Sequence, residues 1–271
     1  MMKQFEGQMS IIRQAASRCK IYAASYNAHF WYPWKLSKVG KGWDGLDRSC
    51  IEMILDSNVS DDSVTNAEVL EEAISRRPAK VVPKDYVDDP EATRESLLEF
   101  EKLAADEPEF RSKIIPVIQR DHVDHLEKYA EFYGKYSHLA IGGMLGIKPI
   151  EQVRIIKEVR NVVGDHTNLH GFGMGTSLHL IKALRANPGL LDSIDMATAE
   201  TMLANGKTTD WTFKQRSPEF PLADRTGDVD MRVLPMPYGD EKSTVNAGFA
   251  MSTLVMLNYM LGSARLYTTL R

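Results

Sequence analysis

Three aspartates follow three apolar runs: Asp56 after Met53-Ile54-Leu55, Asp85 after Lys80-Val81-Val82-Pro83-Lys84, and Asp195 after Ser193-Ile194. A carboxylate just past a buried strand opens onto the face where a parallel α/β barrel does its chemistry. Three of them could serve as nucleophile, proton shuttle and hydrogen-bond acceptor for a cationic or N–H-rich substrate. Asp192 lies three residues before Asp195 and competes for the nucleophile's role. Any one of these aspartates alone could equally be a helix cap; it is the set of three that points to chemistry.

The other strand ends supply matching groups. Ser57 follows Asp56, Gln119 ends Val117-Ile118, Gly142 and Gly143 follow Ile141, and His170-Gly171 ends a run from Asn168. Together they offer carboxylates, an amide and bare glycine backbone, on which a flat ligand can lie closely. Lys and Arg do not cluster among them, so the pocket suits a neutral planar heterocycle with several N–H donors rather than a free phosphate. A carboxylate nucleophile suits an anomeric carbon, which it captures as an ester while a second carboxylate moves the proton. With water excluded the outcome is base exchange with retention; with water admitted it is nucleoside or glycoside hydrolysis. A barrel that binds a nucleobase without catalysis remains a non-enzymatic alternative. His122 and His125 lack a third metal partner at recognisable spacing and read as a solvated helix. The Gly171-Phe172-Gly173-Met174-Gly175 run lacks the Lys-Ser/Thr of a phosphate loop and reads as a strand-to-helix turn.

The elements that must position these groups alternate. Strands are expected at Lys20–Ser25, Glu52–Asp56, Ala79–Asp85, Lys113–Gln119, His138–Gly142, Asn168–Gly173 and Ser193–Ala197. Helical patterns fall at Thr65–Arg76, Pro90–Ala105, His125–Tyr136, Pro149–Val163 and Ser177–Ala186, with a buried final helix in Thr244–Leu261. Strand, helix, strand in repetition means parallel pairing with right-handed crossovers. Seven such strands in 271 residues predict an α/β protein of the (β/α)8 TIM-barrel type, a single domain over residues 1–271. The eighth strand is expected at Thr208–Phe213 or Met231–Leu234.

Composition narrows the classes. The chain is 43% hydrophobic and 26% charged, with a net charge of −4, an ordinary globular balance that gives no general case for nucleic acid. No run of about 20 apolar residues predicts a membrane span, and the first residues lack a signal peptide's apolar core. Two cysteines, Cys19 and Cys50, predict no disulfide framework and fit a reducing cytoplasm. The charge is uneven: residues 11–48 hold seven Lys or Arg against two Asp. Within that segment Trp31, Trp34 and Lys35 could form a loop that stacks on bases and contacts phosphate, or one whose rings pack on the barrel rim. Lys207, Lys214, Arg216 and Arg225 are further candidate phosphate contacts, or ordinary surface charges.

In order along the chain, Leu55-Asp56-Ser57, Pro83-Lys84-Asp85-Tyr86, Pro116-Val117-Ile118-Gln119, Leu139-Ala140-Ile141-Gly142-Gly143, His170-Gly171-Phe172-Gly173, and Asp195 followed by Gly206-Lys207 resemble the tRNA-guanine transglycosylase superfamily over roughly residues 50 to 210. The resemblance implies that Asp195 attacks C1′ of a nucleoside and that Asp56 shuttles the proton. It implies that Asp85 recognises the base, helped by Ser57, Gln119, Gly142, Gly143, His170 and Gly171. It implies no cofactor. The family's zinc subdomain needs a cysteine cluster, and no cysteine follows Cys50, so neither that subdomain nor its metal is expected. Asn58-Val59 stands where the family has a glycine pair. The chain looks most like compact relatives, many of them viral, that insert a 7-deazaguanine base of the preQ0 type into DNA. The implied partners are therefore DNA, with tRNA as the alternative, the deazaguanine itself, and a second copy of the chain as a homodimer. The implied location is cytoplasmic, the host's cytoplasm for a viral protein.

Overall fold

The computed structural model describes residues 2–24, 31–41, 48–175, 177–205, 208–209, 215–216 and 253–262. Helix α1 (Met2–Ala16) leads into β1 (Lys20–Ala24), β2 (Trp34–Lys38) and β3 (Glu52–Asp56). There follow α2 (Asn66–Arg76), β4 (Lys80–Val81), α3 (Pro90–Leu103), the short α4 (Pro108–Arg111) and β5 (Val117–Ile118). Then come α5 (His122–Lys128), α6 (Ala130–Tyr133), β6 (His138–Ile141), α7 (Pro149–Val163), β7 (Asn168–Gly171), α8 (Leu178–Ala186), β8 (Ser193–Met196) and α9 (Thr198–Asn205).

The eight strands pair in the order β4-β3-β2-β1-β8-β7-β6-β5, every pair parallel. The two ends of that order meet. Val81 bridges Ile114 in parallel, its N–H donating to the Lys113 carbonyl and its carbonyl accepting from the Ile115 N–H, each at 2.9 Å. The sheet thus curls into an α/β barrel of the (β/α)8 type. Among the described residues no helix is long and apolar enough to cross a membrane.

The eighth strand corrects the expectation. It is Trp34–Lys38, and it joins β1 to β3. Thr208–Thr209 (β9) instead pairs antiparallel with Gln215–Arg216 (β10) in a separate hairpin; residues 210–213 and Met231–Leu234 lie outside the described residues. Two lysines and a serine disguise the strand, because such residues normally mark an exposed face. Here both faces are covered: Trp34 and Leu36 are buried on one side, Lys35 and Ser37 on the other, and Arg76 of α2 donates to the Ser37 hydroxyl at 3.1 Å.

Local signals fix the helices that hold the strands apart. Thr65 caps α2 in a reciprocal capping box with Glu68. Pro90 and Pro149 open α3 and α7, where a missing N–H costs nothing. Ser177 caps α8. Residues 253–262 form a helix, α10, with Leu254, Val255, Leu257 and Leu261 fully buried. Asn258 on it donates to the Tyr32 hydroxyl at 2.9 Å. A Cβ on Gly262 would stand 3.1 Å from the Ala15 backbone nitrogen, so α10 lies directly against α1.

Candidate active site

Asp56 is the last residue of β3, and Asp195 is the third residue of β8. Asp85 lies just beyond β4. All three residues are within the protein, Asp56 at 8%, Asp85 at 7% and Asp195 at 9% exposure. They share one electrostatic environment: the charges on Asp85 and Asp195 both act on Asp56. Ser57 and Gln119, one residue past β3 and β5, and His170 of β7 are buried around them.

Each carboxylate has a different set of partners. Asp85 accepts from the Ser57 hydroxyl at 2.8 Å and from the Gln119 amide nitrogen at 2.7 Å. Among the described residues the Gln119 amide oxygen is buried with no donor. An unmatched acceptor beside a held carboxylate is the chemistry that pairs with the N–H edge of a planar base. Asp195 accepts from the Gly173 N–H at 3.2 Å. His170 sits beneath it, Nε2 lying 3.7 Å from the Asp195 carboxylate while Nδ1 meets the Ser193 hydroxyl at 2.8 Å. Among the described residues the Asp56 carboxylate accepts from the Asn58 N–H alone, at 3.2 Å.

These differences separate the acids. Burial, reinforced by repulsion from Asp85, pushes Asp56 up to about 7; Lys38 and the Asn58 N–H oppose the rise, and Asp195 adds to it. Asp85 is also raised by burial, against the pull of its bonds to Ser57 and Gln119 and the charge of Lys84. A buried carboxyl titrating near neutrality can both give and take a proton at physiological pH.

The backbone explains several residue choices. Asn58 takes a left-handed conformation, φ 62°, which asparagine tolerates better than most side chains, so the turn after Asp56 keeps a shape that would otherwise call for glycine. A Cβ on Gly142 would stand 2.6 Å from the Gln119 amide nitrogen and 2.7 Å from Val117, so only glycine lets Gln119 lie across β6. Gly143, at φ 65°, turns the chain beyond it. A Cβ on Gly171, by contrast, would meet Met174 at 2.5 Å and Leu191 at 3.0 Å. That glycine serves packing, and its side-chain direction is closed to a ligand.

Asp192 is drawn away from the set. It precedes β8, at the opposite end of the strand, where Arg160 donates to it at 2.8 Å and the Leu169 N–H at 2.7 Å. The stacking loop is also corrected. Trp34 and Lys35 belong to the buried strand β2, at 8% and 1% exposure, and Trp31 packs against the core with its indole N–H on the Ser49 carbonyl at 3.4 Å. Gly206, Lys207, Lys214 and Arg225 lie outside the described residues, as does the side chain of Arg216. His122 and His125 are buried rather than solvated; they meet the Gly142 carbonyl and the Tyr133 hydroxyl, each at 2.9 Å. Among the described residues no cluster of metal-ligating side chains occurs.

Two contributors have no sequence signal of their own. Lys38 pairs with Asp56 in the β2–β3 register, which only the recognition of β2 reveals. Asn66 accepts from the Lys84 N–H at 2.9 Å and donates to Ser96 at 2.9 Å, pinning the chain just before Asp85 to α2 and α3. No protein-family model matches the chain, and no curated protein matches it.

Proposed function

We propose that the protein is a base-exchange transglycosylase that replaces guanine in DNA with a 7-deazaguanine base. The observation that carries this reading is the convergence of three buried carboxylates from three strand ends, one poised near neutral pH and one bound to a serine and a glutamine. Asp195 attacks C1′ of the target nucleotide. The C1′–N9 bond breaks, an ester forms between Asp195 and the deoxyribose, and protonated Asp56 gives its proton to the departing guanine. The incoming base takes the vacated place against Asp85 and the Gln119 oxygen. Asp56, now ionised, takes the proton from N9 of that base. The nitrogen then attacks C1′ and the ester breaks, so two inversions give retention. The target nucleotide must leave the stack for Asp195 to reach its sugar, so single-stranded or flipped DNA is the reacting form. The order of motifs along the chain supports the guanine transglycosylase assignment over other carboxylate chemistry. The lack of cysteine beyond Cys50 supports DNA over tRNA, because a zinc subdomain accompanies the tRNA-acting pattern.

Incubation with labelled guanine and either DNA or tRNA tests the proposal. Label entering DNA upholds it. Label entering tRNA alone moves the substrate class. Release of free base without incorporation makes the protein a hydrolase, and no turnover with either polymer leaves a binding barrel.

A further inference from the structure

The upstream end of the barrel, opposite the carboxylate site, holds a second cluster. A cavity of about 110 Å³ opens there, lined by the first residues of six strands, among them Lys20, Glu52, Lys80 and His138. Glu52 is shared with an adjoining groove of about 660 Å³, lined by Arg48, Arg76, Arg77 and Lys113. Glu52 and Asp56 lie four residues apart on one strand, about 13 Å at 3.3 Å per residue, so the charged rim stands away from the carboxylates, while His170 and Ser193, beneath Asp195, line the cavity wall.

The charges do not balance. Lys20 is paired with Glu52 at 2.5 Å and Arg76 with Glu72 at 2.5 Å. Lys113 has a loose contact with Glu109 at 3.5 Å. Asp192, the other carboxylate on the cavity wall, is held by Arg160. Among the described residues no carboxylate lies within ion-pair distance of Lys80. Its ammonium donates to the Ser112 carbonyl at 3.1 Å and meets His138 Nδ1 at 3.2 Å, leaving one of three N–H groups free. Arg48 and Arg77 are exposed in the adjoining groove, again with no carboxylate in reach among the described residues. Among the described residues, three cations without a carboxylate partner thus line the cavity and the groove beside it, in a chain whose net charge is −4. Burial lowers the Lys80 ammonium below lysine's ordinary value, with Glu52 opposing and Lys113 and Lys20 adding to the fall, a cost that a bound anion would relieve.

We infer that this face carries a second binding site, for a small multiply charged oxyanion of the phosphate or pyrophosphate type. Lys80 holds it at the cavity mouth, and Arg77 and Arg48 hold it in the groove. A planar guanidinium takes two oxygens of a phosphate at once, and the ammonium adds a point charge from the barrel side. The site stands independently of the reaction proposed above.

Titration with sodium pyrophosphate, inorganic phosphate and a single-stranded oligonucleotide, against sodium chloride at matched ionic strength, tests this by calorimetry and thermal unfolding. Pyrophosphate is expected to bind saturably, and Lys80→Gln with Arg77→Gln to weaken it at least tenfold. Base exchange in the double variant is expected to be unchanged, since neither residue reaches the carboxylate site. No saturable binding of pyrophosphate or phosphate, equal affinity in the double variant, or binding confined to the oligonucleotide would each overturn the inference. Arg48→Gln supplies a second variant at an exposed position, expected to weaken pyrophosphate binding without altering thermal unfolding of the unliganded protein.

Discussion

Replacing Asp56 with asparagine should abolish base exchange and yet stabilise the fold at high pH. The rise of Asp56 from its ordinary 3.8 to about 7, at roughly 1.36 kcal/mol for each pH unit, amounts to about 4 kcal/mol. The sign follows from linkage. Between these two values the folded protein holds a proton that the unfolded chain has released, so stability falls as pH climbs through that window. Above pH 7 the full cost of a buried charge beside Asp85 is present; below about pH 4 none of it is. Asparagine keeps the shape and carries no charge. Urea unfolding at pH 5 and pH 8 should therefore show Asp56→Asn gaining on wild type by about 2–3 kcal/mol on going to the higher pH, allowing for the part of the window already crossed at pH 5. Asp85 is present in both proteins, so its own titration largely cancels. An Asp56→Asn protein that gains nothing between these pH values would refute the claim that burial and Asp85 hold this carboxyl near neutrality. The proton-shuttle role would lose its support with it.

Three further outcomes follow from the same geometry. Asp85→Ala removes the acceptor held by Ser57 and Gln119 and should weaken deazaguanine binding by about 10- to 100-fold, as loss of a charged hydrogen bond does; calorimetry showing unchanged affinity would contradict base recognition there. Gly142→Ala forces a methyl against Val117 and Gln119 and should cost about 1–3 kcal/mol in chemical unfolding, with base affinity falling as Gln119 leaves Asp85. The exchange rate should peak near pH 7 and fall on both sides, because Asp56 must act first as an acid and then as a base; a rate that keeps rising well above pH 8 would exclude that double role.

The alternation of apolar runs with helical patterns was enough to read the barrel, because seven strands carry Val, Ile, Leu or Ala where they are buried. The eighth does not read as a strand, for a specific reason. Trp34-Lys35-Leu36-Ser37-Lys38 has the two-residue period of a strand with one wet face, but α2 and Arg76 cover that face, and lysine is rarely so buried. Composition could not show that the covering helix existed. The same covering has a second consequence: without it, Trp31, Trp34 and Lys35 suit a nucleic-acid loop as well as rings packed on the barrel rim, and nothing marks Lys38 as a neighbour of Asp56. The strand-end carboxylates were legible because the barrel fixes where strand ends go. Gln119 and Ser57 were legible for the same reason. Asn66 was not, since its partners Lys84 and Ser96 are 18 and 30 residues away, and only the packing of α2 on α3 brings them together. Asp192 and Asp195 differ by three residues in sequence, and the structure separates them by tying Asp192 to Arg160 at the other end of the strand.

Acid-quenched incubation with a guanine-containing oligonucleotide and no incoming base, followed by intact-mass and peptide mass spectrometry, decides whether Asp195 is the nucleophile. One oligonucleotide ester per chain is expected, on Asp195, absent in Asp195→Ala while that variant's thermal unfolding stays cooperative. Exchange that proceeds without any ester, or an ester mapped to a different side chain, would contradict it.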